Sequence, residues 1–278
     1  MIFVIALLSN SILKLITLEF IGVTLRLVQT LGNLNTSLNA LINSQVHIEK
    51  LIDFETDKDL KLCPLIVNNE IPENLAINID NVSFRYFGSS EYMFENLNLQ
   101  IERNKHTVIT GLNGTGKSTL IGLMAGIYFA TEGSINSFSD KLGYVGPVPL
   151  IIESTIKENL KYGNSRDISD DRLNELIELF DLFNGELIDL GMSISNKSLS
   201  SGQMQKISFI RAILAEVDIL FLDESTANLD TNTKDKIYSV LNKLNITIIN
   251  STHSKEDFKY DAHLQIKNIE GKRLFTFI

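Results

Sequence analysis

A glycine-rich run near the middle of the chain has the residue types and spacing of a phosphate-binding loop. It reads GLNGTGKST over residues 111–119, and Gly111, Gly116, Lys117 and Ser118 satisfy the spacing G-x-x-x-x-G-K-[S/T]. Glycines let backbone N–H groups turn towards phosphate oxygens, and the helix that follows adds its positive N-terminal end. The lysine ammonium would neutralise the β- and γ-phosphates, and the serine hydroxyl would ligate Mg²⁺. The run therefore predicts a nucleotide phosphate site.

A pair of carboxylates ends an apolar run further along the chain. In DILFLDE, residues 218–224, four consecutive apolar residues predict a strand buried on both faces of a parallel sheet. Two carboxylates would be costly in a core, but they suit the carboxyl edge of such a sheet, where ligands bind. We expect Asp223 to hold Mg²⁺, directly or through water, and Glu224 to polarise the attacking water. The alternative is a strand that ends in acids at a surface loop, and the phosphate loop upstream makes it the weaker one.

The residues around these motifs have the pattern of an α/β domain. From Ala76 onwards, Ile77, Ile79 and Val82 alternate with polar residues as in a half-buried strand. A second alternating run, LNLQI, and the apolar run TVIT precede the glycine-rich run, and the helical pattern LIGLMAGIYF follows it. Strand, loop and helix are thus expected in the order that a phosphate site requires.

Composition restricts the class of protein. The chain has 278 residues, of which 44% are hydrophobic, so it can form one or two domains with a sizeable core and is not a disordered protein. Cys63 is the only cysteine, which excludes an intramolecular disulfide. The formal net charge of -9 argues against a dominant nucleic-acid-binding surface, because phosphate neutralisation requires clustered Lys and Arg.

The N-terminal segment is apolar and carries few charges. Twelve of the first 17 residues are apolar, and Lys14, Glu19 and Arg26 are the only full charges before His47. A secretory signal peptide requires a basic region before its apolar core, whereas Lys14 follows the core. A buried helix of a soluble domain is a second alternative. The apolar pattern continues to Val28, which favours a membrane helix or the cytoplasmic half of one.

An apolar seam continues this segment, with apolar residues in alternating steps of four and three and asparagines on the opposite face. The seam consists of Leu27, Leu31, Leu34, Leu38, Leu41, Ile48 and Ile52, with Gln45 at one position. This pattern predicts a long amphipathic helix that packs on partner helices. The predicted organisation is a long helix over residues 1–54, an extended proline-containing linker over 55–75, and an α/β domain over 76–278 that carries the phosphate site.

Between the two chemical motifs, the stretch SLSSGQMQKISFIRAIL resembles the signature of ATP-binding cassette (ABC) transporter ATPases, LSGGQ followed by a basic helix. The matching residues are Leu199, Ser200, Gly202, Gln203, Arg211 and Ala212. The resemblance covers residues 76–278, and the preceding helix, together with TIKENL at 155–160, is similar to the exporter-type subgroup. It implies a P-loop NTPase fold of the ABC type, an α/β domain with a mixed sheet, an antiparallel β-subdomain near Tyr86 and a helical subdomain, preceded by a long N-terminal helix.

The resemblance also assigns roles to single residues. Tyr86 stands where the family has the aromatic that stacks on adenine, and Asp230 lies in the loop that joins the two nucleotide sites of a dimer. His253 matches the switch histidine that contacts the γ-phosphate, so it joins Glu224 as a catalytic residue. The residues alone leave open a plain core aromatic at 86 and a surface histidine at 253. The expected ATP-binding residues are Tyr86, Gly111, Asn113, Gly114, Thr115, Gly116, Lys117, Ser118 and Thr119. The expected metal ligands are Ser118 and Asp223, and the expected signature residues, which face the ATP of a second subunit, are Ser200, Ser201, Gly202 and Gln203.

Two positions depart from the family pattern. Pro147 stands where a glutamine normally senses Mg²⁺ and couples to the membrane domain, and proline offers neither an amide oxygen nor an N–H. Ser201 replaces a glycine whose backbone approaches the γ-phosphate of the opposite subunit, where a Cβ would crowd it. Because Glu224 and His253 are present, we expect hydrolysis to be retained but slow or differently coupled.

The resemblance implies an ATP-hydrolysing domain that drives export across a membrane. The expected cofactors are ATP and Mg²⁺, and the expected partners are a second ABC ATP-binding domain, in a homo- or heterodimer, and transmembrane helices, but no nucleic acid. The expected location is the inner or plasma membrane, with the ATPase domain in the cytoplasm. The remaining membrane helices would come from another polypeptide or, as we favour, from a longer product of which this chain is a fragment. The alternatives are a soluble ABC-type ATPase acting on nucleic acid or ribosomes, and an ATP-binding regulator that hydrolyses weakly or not at all.

Overall fold

The computed structural model describes residues 18–56, 63–68, 71–164, 166–183, 185, 189–226, 229–252, 259–269 and 272–278. The chain divides into two units, Met1–Leu60 and Lys61–Ile278. The first unit contains helix α1, Leu18–Thr56, and large apolar side chains from Phe20 to Ile48 of this helix are exposed. Residues 1–17, which begin the predicted membrane segment, lie outside the described residues. Across the described ranges, no helix has the length and apolarity needed to cross a bilayer.

The second unit is an α/β structure in which most of the helices lie between strands along the chain. Its strands are β1 (Leu65–Val67), β2 (Leu75–Phe84), β3 (Phe94–Glu102), β4 (His106–Gly111), β5 (Glu132–Ser137), β6 (Leu142–Val145), β7 (Ser154–Thr155), β8 (Ser193–Ile194), β9 (Ile219–Asp223), β10 (Thr247–Ser251), β11 (Ala262–Ile269) and β12 (Lys272–Phe277). Its helices are α2 (Lys117–Met124), α3 (Ile156–Lys161), α4 (Asp170–Leu179), α5 (Ser201–Leu214) and α6 (Thr231–Leu241).

A six-stranded sheet forms the centre of the second unit, in the order β12-β11-β4-β10-β9-β6. Its strands pair in parallel except β12, which is antiparallel to β11. The sequence prediction for β9 is confirmed, because all five of its residues are buried between parallel neighbours. The carboxyl ends of β4, β9 and β10 therefore lie along one edge of the sheet.

The two faces of this sheet pack against different layers. Ile219 and Phe221 of β9 join an apolar cluster with α2 and the smaller sheet, whereas Leu220 and Leu222 join a second cluster with α3, α4, α5 and α6. Successive strand residues point to opposite faces, so a continuous apolar run supplies both layers. The mixed sheet and the helical layer agree with the predicted ABC-type fold.

A four-stranded sheet, in the order β1-β5-β2-β3, forms the second β layer. β2 pairs antiparallel with β3 and β5, which agrees with the antiparallel β-subdomain predicted near Tyr86. β1 lies within residues 55–75, where an extended linker is predicted, and it pairs in parallel with β5. Part of the predicted linker is therefore an edge strand of this sheet.

Candidate nucleotide-binding site

The glycine-rich run connects β4 to α2, and its glycines have backbone conformations that other residues adopt poorly. Gly114 has φ +77° and Gly116 has φ +100°, both in the region that favours glycine. A Cβ on Gly116 would lie 2.9 Å from Cζ of Phe94, and one on Gly111 would lie 2.6 Å from the carbonyl oxygen of Ile266. Close packing and the turn therefore both require glycine in this loop.

Lys117, the first residue of α2, brings a positive charge into the loop. The residue is buried, and its Nζ donates to the carbonyl oxygens of Gly111 at 3.0 Å and Leu112 at 3.4 Å. The same ammonium lies 3.7 Å from Oε1 of Glu224. The neighbours of this buried ammonium are mostly carbonyl dipoles. An anion in the loop would stabilise the ammonium far better than these dipoles do, because it would bring two or three phosphate charges.

Asp223, the last residue of β9, is buried and accepts three hydroxyl hydrogen bonds. Its Oδ1 accepts from Ser118 Oγ at 2.9 Å and from Ser251 Oγ at 2.7 Å, and its Oδ2 accepts from the Tyr144 hydroxyl at 3.1 Å. Partial burial of the Tyr144 hydroxyl and the neighbouring Asp223 charge raise the pKa of Tyr144, which keeps the hydroxyl protonated as a donor. One carboxylate beside a serine hydroxyl forms the hard oxygen environment that Mg²⁺ prefers.

Glu224 follows Asp223 but has a different environment. Its φ is +48°, and its backbone N–H donates to the carbonyl oxygen and to Oγ of Ser251, both at 3.2 Å. Its side chain is 31% exposed, whereas Asp223 is buried. The left-handed turn thus ends the strand and leaves the second carboxylate accessible to solvent, as a group that orients water must be.

Tyr86 lies beyond the end of β2, on the side of the phosphate loop. Its hydroxyl is 2.6 Å from Oγ1 of Thr119 in α2, and its ring packs edge-on against Phe84 and Tyr128. Tyr86 is 41% exposed, so it is not a plain core aromatic. The hydrogen bond ties an accessible aromatic ring to the helix that carries the loop, which suits stacking on a nucleobase.

The signature stretch forms the start of α5. Ser200 is the N-cap, accepting from the backbone N–H of Gln203 at 3.2 Å, and the Gln203 side chain accepts from the Ser200 N–H at 2.9 Å. Ser201 is exposed, and a Cβ on Gly202 would meet nothing closer than 3.8 Å. Among the described residues, Ser200–Gln203 make no hydrogen bond or ion pair with residues 111–119.

The remaining predicted residues lie in the phosphate loop, at other positions of the unit or outside the described residues. Asn113 is exposed at the tip of the phosphate loop, and Thr115 is buried, with its hydroxyl donating to Leu112 O at 2.9 Å. Asp230 caps α6, and its hydrogen bonds with Thr233 lower the pKa of this carboxyl. Pro147 is exposed just after β6. His253 lies outside the described residues.

Sequence reasoning missed Tyr144 and Ser251, which both donate to Asp223. Ser251 ends β10 and Tyr144 is the penultimate residue of β6, so both lie at the carboxyl ends of the two strands that flank β9. Polar residues at the ends of neighbouring strands are the signal that could have identified them, but only once the strand order is known.

Comparisons with known proteins agree with this geometry. A protein-family profile described as ABC transporter matches residues 94–227. The chain is similar to the ATP-dependent permease MDL1 of Candida albicans, at 29% identity over 269 residues, and to the lactococcin-A transport/processing ATP-binding protein LcnC of Lactococcus lactis subsp. lactis, at 30% over 273 residues. These alignments cover 87% and 86% of this chain, but 38% of each relative. An export ATP-binding/permease protein of Rickettsia typhi is 32% identical over 191 residues, covering 62% of this chain and 33% of that protein. The chain thus spans about two fifths or less of the length of these relatives.

Proposed function

The chain belongs to the ABC transporter family through an exporter-type ATP-binding domain, and we propose that this domain hydrolyses ATP to move membrane helices of an exporter. The observation that supports this proposal most strongly is the buried Lys117 ammonium 3.7 Å from Glu224, next to the hydrogen bond between Ser118 and Asp223. ABC ATPase domains bind ATP, generally with Mg²⁺. The residues present fit both, since the loop offers a buried cation to phosphate and a hydroxyl–carboxylate pair to the metal.

Each predicted residue has a separate task in this proposal. Lys117 and the backbone of residues 111–119 would bind the phosphates, and Ser118 and Asp223 would hold Mg²⁺, which would supply charge neutralisation of the phosphates. Tyr86 stacks on the base. Glu224 orients water and accepts its proton. His253 is proposed to contact the γ-phosphate.

Two copies of the domain are proposed to complete each site. In this proposal Ser200, Ser201, Gly202 and Gln203 face the ATP held by the phosphate loop of a second subunit, and Asp230 lies between the two sites. Pro147 and Ser201 are proposed to make hydrolysis slow, because the first supplies no side-chain oxygen and the second adds a Cβ near the γ-phosphate.

The first unit is proposed to connect the ATPase to a membrane. Residues 1–54 would form the end of a transmembrane domain, and residues 76–278 would form the ATP-binding domain on the cytoplasmic side. Residues 55–75 would be the linker between them. The exposed apolar side chains of α1 support this proposal, because such a stripe is stabilised by packing on partner helices. Sedimentation of the expressed chain tests this assignment. Recovery of the chain with the membranes would support it, and recovery wholly in the supernatant would contradict it.

Retention of nucleotide by purified full-length protein tests the site directly. Replacing Lys117 by alanine removes the buried ammonium, so Lys117→Ala is expected to weaken Mg²⁺-ATP binding by about tenfold or more. Lys105→Ala is the matched control, since Lys105 is a half-exposed lysine paired with Glu102 at the other end of β4. Binding that is equal in the wild type and in Lys117→Ala, or no binding by the wild type, would overturn the proposed function.

A further inference from the structure

We propose that Tyr144 is a positioning residue for Asp223 and so sets the affinity of the site for the metal that accompanies the nucleotide. This inference rests on the proposed function, in which Asp223 and Ser118 hold Mg²⁺. Tyr144 lies in β6, the edge strand beside β9, and its hydroxyl donates to Oδ2 of Asp223 at 3.1 Å.

The three hydroxyl donors reach Asp223 from three different elements. Ser118 of α2 and Ser251 of β10 both donate to Oδ1, so these two donors hold only one of the two carboxylate oxygens. Tyr144 donates to the other oxygen, Oδ2. Donors on both oxygens restrict rotation of the carboxylate about its Cβ–Cγ bond more than donors on one oxygen do, and groups that orient a metal ligand in this way tune metal affinity.

The backbone after β6 is shaped to admit the Tyr144 ring. A Cβ on Gly146 would lie 2.9 Å from Cε1 of Tyr144 and 3.4 Å from its hydroxyl oxygen, so any residue other than glycine would push the ring away. The buried Gln205 of α5 donates through Nε2 to the carbonyl oxygen of Gly146 at 3.0 Å, which fixes this glycine in place. Gly146 and the hydrogen bond to its carbonyl oxygen therefore help to hold the Tyr144 ring in position.

The same loop contains the departure at Pro147. A proline side chain offers no oxygen to a metal or to a water bound to it, so the side chain of residue 147 cannot take part in the metal site. Tyr144, three residues before Pro147 and near the end of β6, donates to Asp223, the proposed metal ligand. In this proposal the contact that orients Asp223 comes from Tyr144 at the end of β6, and the side chain of residue 147 in the loop that follows contributes none.

Metal affinity measured without turnover tests the inference. Mn²⁺ replaces Mg²⁺ as a spectroscopic probe, and its binding to the purified full chain with a non-hydrolysable ATP analogue is followed by electron paramagnetic resonance. Tyr144→Phe, which keeps the ring and removes the hydroxyl, is expected to weaken Mn²⁺ binding by about tenfold or more while nucleotide affinity in EDTA stays unchanged. Tyr162→Phe is the matched control, because this half-exposed tyrosine lies in the helical layer, and its Mn²⁺ affinity is expected to equal that of the wild type.

A second variant tests the same contact through the backbone. Gly146→Ala is expected to displace the Tyr144 ring and to weaken Mn²⁺ binding as Tyr144→Phe does, and the double variant is expected to be no weaker than Tyr144→Phe alone. Unchanged Mn²⁺ affinity in Tyr144→Phe overturns the inference while leaving the proposed function intact. An equal loss of nucleotide affinity in EDTA also overturns it, because the effect would then be structural. A wild type that binds no nucleotide overturns the proposed function as well.

Discussion

The backbone at the end of β9 places two adjacent carboxylates, Asp223 and Glu224, in different environments. Asp223 ends a buried strand and is surrounded by hydroxyl donors, which favours a fixed charge that binds a cation. Glu224, with φ +48°, turns out of the strand and is partly exposed. One carboxylate is therefore suited to hold a metal and the next to exchange a proton with water.

The task proposed for Glu224 gives a first prediction. Glu224→Gln keeps the size of the side chain but removes the group that accepts a proton, so phosphate release is expected to fall by about a hundredfold or more, with Mg²⁺-ATP retention preserved. Phosphate release and retention are measured on the same preparations. Glu216→Gln, at an exposed glutamate paired with Arg166, is expected to match the wild type. Equal phosphate release by wild type and Glu224→Gln would instead support the non-hydrolysing regulator.

At the scale of elements, the phosphate loop depends on two glycines for different reasons. Gly116 combines φ +100° with a Cβ position 2.9 Å from Phe94, whereas Gly114 has φ +77° and open space around it. Gly114→Ala is expected to cost about 1 kcal/mol, the penalty of a left-handed residue. Gly116→Ala adds a clash with a buried ring and is expected to cost about 2–3 kcal/mol. Urea unfolding of the full chain without nucleotide measures both, and equal losses would contradict the packing argument.

The elements that carry the site could be predicted because their signals are local. The glycine spacing before Lys117 and the apolar run before Asp223 each specify a strand end without reference to the rest of the chain. β1 could not be predicted, because Leu65–Val67 is too short to show a period and forms by pairing with the distant β5. The contact of Tyr144 with Asp223 was missed for a similar reason, since it depends on β6 lying beside β9.

At the scale of the whole molecule, the proposed function requires a second copy of the domain to complete each nucleotide site. Ser200 and Gln203 cap their own helix and make no hydrogen bond or ion pair with residues 111–119 in the described part of the chain. At the N-terminus of α5, where Ser201 is exposed, the positive helix end would nonetheless suit a phosphate from another subunit. This role in a second subunit remains a prediction from the family resemblance.

Mixing two inactive variants tests whether sites are shared. Lys117→Ala disables the phosphate loop, and Gly202→Asp adds a negative charge to the start of α5, where the nearest atom to a Cβ is 3.8 Å away and folding should be unaffected. In a head-to-tail dimer of one chain of each kind, both defects fall in one site and the other site is intact. If equal amounts of the two variants exchange chains at random between dimers, about one site in four should be intact. Phosphate release should therefore reappear on mixing. Each variant alone, taken through the same mixing procedure, is the control and is expected to stay inactive. Mixtures that remain as inactive as their components, although native mass spectrometry shows that mixed dimers form, would mean that each chain completes its own site.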